Sequence, residues 1–108
     1  MQKVSIIVLG ILLIAPLSFG GGNGEILFTT MGCMSCHHPE KASKINPSLV
    51  DIAQAYQGKQ PQLIGYLNGQ EEAIVKPEKA GMMKRFIEKT KALTDQERVA
   101  LADFILGH

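Results

Sequence analysis

Apolar side chains recur at helical spacing along most of the chain after residue 24. Leu49, Ile52, Ala53 and Tyr56 are spaced i, i+3, i+4 and i+7, which is one face of a helix. Five segments, including this one, show either helical spacing of apolar residues or the residue types that begin and end helices. They are 25–31, 47–58, 61–69, 77–90 and 94–107. No segment alternates in the manner of a half-buried strand. The pattern predicts an all-α domain.

The boundaries of these segments are marked by turn and capping residues. Gly32 follows the first segment and is suited to a left-handed cap, and Pro47 is expected to open the second. Thr94 and Glu97 form the capping-box pattern at the start of the last helix, which is the clearest element of the chain. The Gly-rich stretch 21–24 predicts a flexible lead-in to the domain.

The N-terminal residues have the pattern of a secretory signal peptide. Lys3 precedes an apolar run over Val4–Ala15 that Pro16 ends, and small residues follow up to Gly20. A retained membrane anchor is the alternative, but the run is shorter than the roughly 20 residues that span a bilayer. We therefore expect cleavage after Gly20, with a cut after Gly22 nearly as suitable. The mature domain would be residues 21–108, exported to the periplasm.

Composition narrows the function classes. A length of 108 residues fits one small domain, and 11 Lys plus Arg against 10 Asp plus Glu give a formal charge of +1. This balance argues against a nucleic-acid binder that relies on bulk positive charge. Two cysteines are too few for a disulfide scaffold, and the aromatic residues are only two Tyr and four Phe. Something besides packing is expected to hold the fold.

The chemistry concentrates in the sequence C-x-x-C-H formed by Cys33, Cys36 and His37. This is the attachment motif of a c-type haem. Two intervening residues let both thiols bond to the vinyl groups of one haem, and the next residue is then held beneath the iron as an axial ligand. A thiol oxidoreductase would place C-x-x-C after a strand, and a zinc site usually takes two separated ligand pairs. The motif therefore predicts one covalent haem c.

Residues 24–108 resemble a class I c-type cytochrome of the small, soluble, bacterial monohaem kind. The resemblance rests on EILFTTMGCMSCHHP, on Pro47, on YLNGQ at 66–70 and on the terminal DFILGH. It implies a cytochrome c fold in which four to five helices surround one covalently bound haem. It also implies that the first and last helices cross, here near Gly24, Phe28 and Phe104.

The resemblance also implies a methionine as the second axial ligand of the iron, opposite His37. Met31 and Met34 lie beside or within the attachment turn, so Met82 and Met83 are the candidates. Relatives often place the ligand ten residues before a Leu-Thr helix start, which favours Met83. Many relatives have proline after this methionine, whereas Lys84 follows here, so we expect a longer and more ordered ligand segment.

The same resemblance assigns Pro47 a supporting role, because its carbonyl would accept the second ring N–H of His37. Asn68 is either a turn residue or a hydrogen-bond donor to the methionine sulfur. His38 and His108 are expected to be solvent-exposed. The chain has no Trp to bind the haem propionates. The polar side chains that remain as candidates for this role are Tyr56, Tyr66, Lys76 and Arg85.

Filling both axial positions predicts an electron carrier and not an enzyme. The partners implied by the resemblance are redox proteins: a quinol:cytochrome c reductase, a terminal oxidase or a periplasmic dehydrogenase, met by a monomer in transient contacts. The alternatives are a haem-bearing subunit of a periplasmic oxidoreductase complex and a five-coordinate gas-binding haem module. Lysines either ring the exposed haem edge to guide docking or form an ordinary solvated surface; they are Lys41, Lys44, Lys59, Lys76, Lys79, Lys84, Lys89 and Lys91.

Overall fold

The structure is a computed structural model that describes residues 20–108. The predicted signal peptide, up to Gly20, falls almost wholly outside these residues. Within them the chain forms five α-helices and two 3₁₀ segments, with no β-strand, so the all-α prediction is confirmed. The α-helices are α1 (Gly20–Thr30), α2 (Leu49–Ala55), α3 (Gln60–Leu67), α4 (Lys84–Lys91) and α5 (Asp95–Leu106). The 3₁₀ segments are Cys33–Ser35 and Pro77–Met83.

The most extensive contact between helices joins α1 to α5. Gly24 is buried at this crossing, where a Cβ atom would overlap the carbonyl oxygen of Ala100 and lie 2.8 Å from Cβ of Phe104. Phe28 stacks obliquely on Phe104, with ring centroids 5.4 Å apart. Both contacts were expected from the family resemblance.

Helix α1 begins earlier than the sequence predicted. The Gly-rich stretch 21–24 was expected to be a flexible lead-in, but it belongs to Gly20–Thr30. That prediction is wrong. Glycine is a poor helix former in isolation. Here the close approach of α1 to α5 needs a residue without a side chain at Gly24, so tertiary packing outweighs local propensity.

The start of α2 also differs from the prediction. Pro47 precedes the helix, and Ser48 is its N-cap. The Ser48 hydroxyl accepts a hydrogen bond from the Asp51 amide at 3.1 Å, and the Asp51 carboxylate accepts one from the Ser48 amide at 3.3 Å. This reciprocal cap fixes the start of α2 after Pro47. The carbonyl oxygen of Pro47 therefore lies outside the helix and can accept a hydrogen bond from another part of the chain.

The segment predicted as one element over 77–90 is divided in two. Its first part is the 3₁₀ segment, and α4 follows directly, with Met83 as its N-cap. The ordered segment expected after Met83 is thus a helix. At its other end, Arg98 of α5 donates to the carbonyls of Thr90, Lys91 and Leu93 at 3.0, 3.0 and 2.7 Å.

The last helix matches its prediction. Thr94 is the N-cap, and the capping box with Glu97 is formed by hydrogen bonds of 3.1 and 2.9 Å. Helix α5 also packs on α2 and α3 and supplies the centre of the core. The core side chains are Phe28, Leu49, Tyr56, Leu63, Leu67, Leu101, Ala102 and Ile105. Among residues 20–108, no helix is both long and apolar enough to cross a bilayer.

Candidate functional site

A cavity of about 490 Å³ opens beside this core. This volume lies within the roughly 300–1,000 Å³ typical of small-molecule and cofactor sites. Its wall brings together all the site residues predicted from the sequence, namely Cys33, Cys36, His37, Pro47 and Met83. Segments that are distant along the chain therefore face one space.

The C-x-x-C-H sequence forms a tight turn at the end of α1. Gly32 has a φ angle of 83°, a left-handed conformation that glycine adopts without steric cost. The 3₁₀ segment follows, and the amides of Cys36 and His37 both donate to the carbonyl of Cys33, at 3.2 and 3.0 Å. This folding places the two thiols and the imidazole on consecutive parts of one rim of the cavity.

The two cysteines are free thiols in different surroundings, with Cys33 half-buried and Cys36 exposed. Burial away from water raises the pKa of the Cys33 thiol above its usual value, and its backbone hydrogen bond offsets this in part. Within residues 20–108, no group of three or more His, Cys, Asp or Glu side chains is placed to hold a metal ion.

The imidazole of His37 is oriented by a hydrogen bond to Pro47. Its Nδ1 atom lies 2.9 Å from the Pro47 carbonyl oxygen. A carbonyl oxygen can only accept, so Nδ1 carries a proton, and in the neutral ring Nε2 then keeps its lone pair. The expected role of Pro47 agrees with this geometry, and the ring is prepared to bind a metal through Nε2.

The loop before Pro47 is held by its own hydrogen bonds. The Ser43 hydroxyl accepts from the amides of Ile45 and Asn46 at 3.2 and 2.8 Å, and the Ser43 amide donates to the Asn46 carbonyl at 2.9 Å. From outside the loop, the ammonium group of Lys76 donates to the carbonyls of Ser43 and Lys44. The position of the Pro47 carbonyl is therefore fixed from both sides, by this loop and by the cap at Ser48.

Both candidate methionines lie at the end of the 3₁₀ segment Pro77–Met83 and line the cavity. They differ in exposure, since Met82 is 56% exposed whereas Met83 is half-buried. A sulfur that binds a buried metal must leave solvent, so this difference favours Met83. Asn68 ends α3, where its amide donates to the Ile64 carbonyl at 2.9 Å, and it is not among the residues that line the cavity.

The cavity fits a haem in the character of its wall. Apolar side chains form much of the wall, including Phe28, Leu63 and Leu101 from the core. Among residues 20–108, four cationic side chains also line it and no carboxylate does; the four are Lys76, Lys79, Arg85 and Lys89. An apolar ring system with two acidic substituents matches a wall of this kind, because burying the macrocycle is favourable and the cations offset the acidic charge.

Two phenols also belong to the polar part of the wall. Tyr56 is buried and Tyr66 half-buried, and both line the cavity. Burial raises the pKa of each phenol above its usual value, and the nearness of Tyr56 raises that of Tyr66 further. They therefore present neutral hydroxyl groups at physiological pH. Together with Lys76 and Arg85, they are the polar groups that the sequence offered as propionate partners.

The remaining histidines lie away from this chemistry. His38 is exposed, and its Nδ1 atom accepts from the amides of Glu40 and Lys41, both at 3.2 Å. His108 is also exposed and has Nδ1 at 2.9 Å from the Phe104 carbonyl oxygen. The exposed positions predicted from the sequence are confirmed.

Sequence reasoning missed how Ser48, Asp51 and Lys76 support the site, although it had offered Lys76 as a propionate partner. The S-x-x-D pattern of Ser48 and Asp51 was visible as a capping box and would have placed the start of α2 correctly. Lys76 has a left-handed backbone, with φ 49° and ψ 58°, which no local pattern indicates for a lysine. Its contacts reach residues more than 30 positions away, so only the folded chain reveals them.

Comparison with known proteins agrees with this geometry. The family model described as Cytochrome c matches residues 22–108, which is nearly all of the described chain. No curated protein sequence matches the chain.

Proposed function

Because this chain belongs to the cytochrome c family, we propose that it carries single electrons between redox proteins of the periplasm on one haem ligated by His37 and Met83. Family membership itself means haem-based electron transfer and a covalent haem c, with Cys33 and Cys36 in the attachment motif. It also means redox proteins as partners. The proposal adds the ligands, the compartment and the kind of partner.

The observation that carries the proposal is the state of His37. Its Nδ1 proton is committed to Pro47, so Nε2 is the atom available to a metal. Directly before it, Cys33 and Cys36 lie on the same rim of the cavity. A haem held by both thioethers would meet an imidazole whose tautomer and orientation are already set, which is what a stable axial bond requires.

Met83 would supply the second axial bond from another segment of the wall. It is the N-cap of α4 and half-buried, and α4 holds the segment in place behind it. When bound, the haem iron supplies the one-electron couple, and a thioether ligand favours its ferrous form and so raises the potential. With haem bound, the apolar side chains of the wall would shield the ring from water, which limits the reorganisation that accompanies a change of charge.

Two protein ligands would leave no position on the iron for a substrate, which supports a carrier in place of an enzyme. The N-terminal pattern over residues 1–20 supports export, and the compartment would then be the periplasm. There a quinol:cytochrome c reductase, a terminal oxidase or a periplasmic dehydrogenase would exchange electrons with a monomer. Contacts of this kind are small and transient, as rapid turnover demands.

The experiment is a comparison of Met83→Ala with Met82→Ala, both exported with haem maturation. We expect Met83→Ala to lose the sulfur-to-iron charge-transfer band of the oxidised protein, lower the reduction potential and let carbon monoxide bind the reduced protein rapidly. Met82→Ala removes a similar side chain from the neighbouring, exposed position and should keep all three wild-type properties.

Three other results would contradict parts of the proposal. Loss of the band only in Met82→Ala would transfer the ligand to Met82. A wild-type protein without the band that binds carbon monoxide rapidly would be a five-coordinate gas-binding module. Stable co-purification of the native protein with a larger catalytic chain would make it a haem-bearing subunit of an oxidoreductase complex.

A further inference from the structure

Lys76 is the residue of the cavity wall whose backbone and side chain are both unusual. It is the only residue other than glycine with a positive φ angle in the described part of the chain. Such a conformation costs about 1 kcal/mol or more for a residue with a Cβ atom and persists only where other contacts enforce it. The structure therefore has to supply a compensating interaction at this position.

The side chain of Lys76 supplies that interaction. It is half-buried, unlike Lys79 and Lys89, which are exposed on the same wall. Its Nζ atom donates to the carbonyl oxygens of Ser43 and Lys44 at 3.1 and 3.0 Å. Hydrogen bonds from a charged donor are the stronger kind, and two of them end on consecutive carbonyls of one loop.

These two hydrogen bonds join the two parts of the chain that support the iron ligands. The loop 43–46 leads directly to Pro47, whose carbonyl orients His37. Lys76 itself caps the 3₁₀ segment that ends at Met83. Asn46, Pro47, Lys76 and Met83 all line the same cavity. The Lys76 side chain thus spans from the segment of one proposed ligand to the loop behind the other.

We propose that Lys76 is a positioning residue that straps the loop 43–46 to the segment 77–83 and thereby limits the access of small molecules to the haem. In the described residues, no other side-chain hydrogen bond joins the loop 43–46 to the segment 77–83 at this edge of the cavity. Opening of the edge would then release the methionine segment more often. The effect on haem access rests on the proposed function, whereas the strap itself is tested by amide exchange alone.

The test compares Lys76→Leu with Lys44→Leu as its matched control. Both variants remove one positive charge from this edge of the protein, but Lys44 is exposed, does not line the cavity and takes part in the strap only through its backbone carbonyl, which leucine keeps. Only Lys76→Leu therefore removes the strap. The readouts are carbon monoxide binding to the reduced protein by stopped flow and amide hydrogen exchange at Ser43 and Asn46.

For Lys76→Leu we expect carbon monoxide association and exchange of both amides to be about tenfold faster than in wild type, the effect of losing a pair of charge-assisted hydrogen bonds. Lys44→Leu should stay within about twofold of wild type, as expected for an exposed side chain outside the cavity wall. Equal results for the two variants in both readouts would overturn the proposal.

The variant Lys76→Gly distinguishes the role of the Lys76 side chain from the role of its left-handed backbone. Glycine adopts the left-handed conformation without strain, so a role confined to the turn predicts wild-type behaviour. The strap predicts that Lys76→Gly resembles Lys76→Leu, and wild-type behaviour would overturn it. If the wild-type protein lacks the sulfur band, the distal ligand is wrong, while amide exchange at Ser43 and Asn46 still decides whether the strap exists.

Discussion

Gly24 lies where α1 meets the backbone of α5, and its missing side chain sets how close the two helices come. Alanine there would place Cβ on the Ala100 carbonyl oxygen and against Phe104. Because the obstacle is helix backbone, it cannot move aside as a side chain could. We expect Gly24→Ala to lower the free energy of unfolding of the haem protein by about 3 kcal/mol.

Denaturant unfolding of the haem protein measures this change, and Gly81→Ala is its control. A Cβ atom added at Gly81 would meet no heavy atom of another part of the chain within 4 Å, so alanine there points into open space. It should leave the stability within about 0.5 kcal/mol of wild type. If both variants were equally stable, the crossing of α1 and α5 would not require glycine.

Single residues were predictable from the sequence where their role is local. Cys33, Cys36 and His37 form one motif, whereas the role of Pro47, ten positions from the imidazole that it orients, was implied by the family resemblance. The choice of Met83 over Met82 came from the spacing in relatives, and the exposure of Met82 agrees with it. The hydrogen bonds of Lys76 could not be predicted in this way. Their acceptors are backbone carbonyls 33 and 32 positions away, and a backbone acceptor does not show in the pattern of side chains.

At the scale of helices, α4 depends on a side chain of α5. Arg98 is 5% exposed and donates to three carbonyls at the C-terminal end of α4. Thr90 at the same end donates to the Leu67 carbonyl at 2.5 Å, which ties α4 to α3. Helix α4 follows Met83 directly, so its ends fix the segment that carries the proposed ligand.

We expect Arg98→Met to lower the free energy of unfolding by about 2–4 kcal/mol, because three carbonyls lose their donor where little water can replace it. The control is Asp95→Asn, which removes the ion partner of Arg98 but keeps the arginine; Asp95 is 96% exposed. A surface partner of this kind contributes at most about 1 kcal/mol. Thermal unfolding of both variants checks the difference, and a larger loss in Asp95→Asn would show that the ion pair is the main contact.

The helices themselves were predictable to the degree that their signals are local. The capping box of Thr94 and Glu97 gave α5 its start, and the apolar spacing gave α2 and α3. The glycines of α1 led to a wrong prediction of a flexible lead-in, because their helical conformation depends on contact with α5. The division of 77–90 was also hidden, since a 3₁₀ turn and an α-helix share the same apolar spacing over so short a segment.

At the scale of the whole molecule, the cavity takes the place that a larger core would occupy. The core cluster has eight buried side chains, and six of them also line the cavity. These six are Phe28, Tyr56, Leu63, Leu67, Leu101 and Ile105. The cofactor thus completes the hydrophobic core of the chain, as well as providing its chemistry.

The chain without haem is therefore expected not to fold. Without haem, the apolar wall of the cavity of about 490 Å³ would face water, at a cost of about 25 cal/mol per Å² of apolar surface. Over a wall of this size the loss is on the order of several kcal/mol, a large share of the whole stability of a small domain, about 5–15 kcal/mol. Cys33→Ala combined with Cys36→Ala removes the covalent attachment, and far-ultraviolet circular dichroism should show loss of most helix.

Ser35→Ala changes the same turn but keeps both thiols, so it should retain haem and helix. A double variant that stays helical, with slowly exchanging amides in α1 and α5, would mean that the crossing of these two helices suffices to fold the chain.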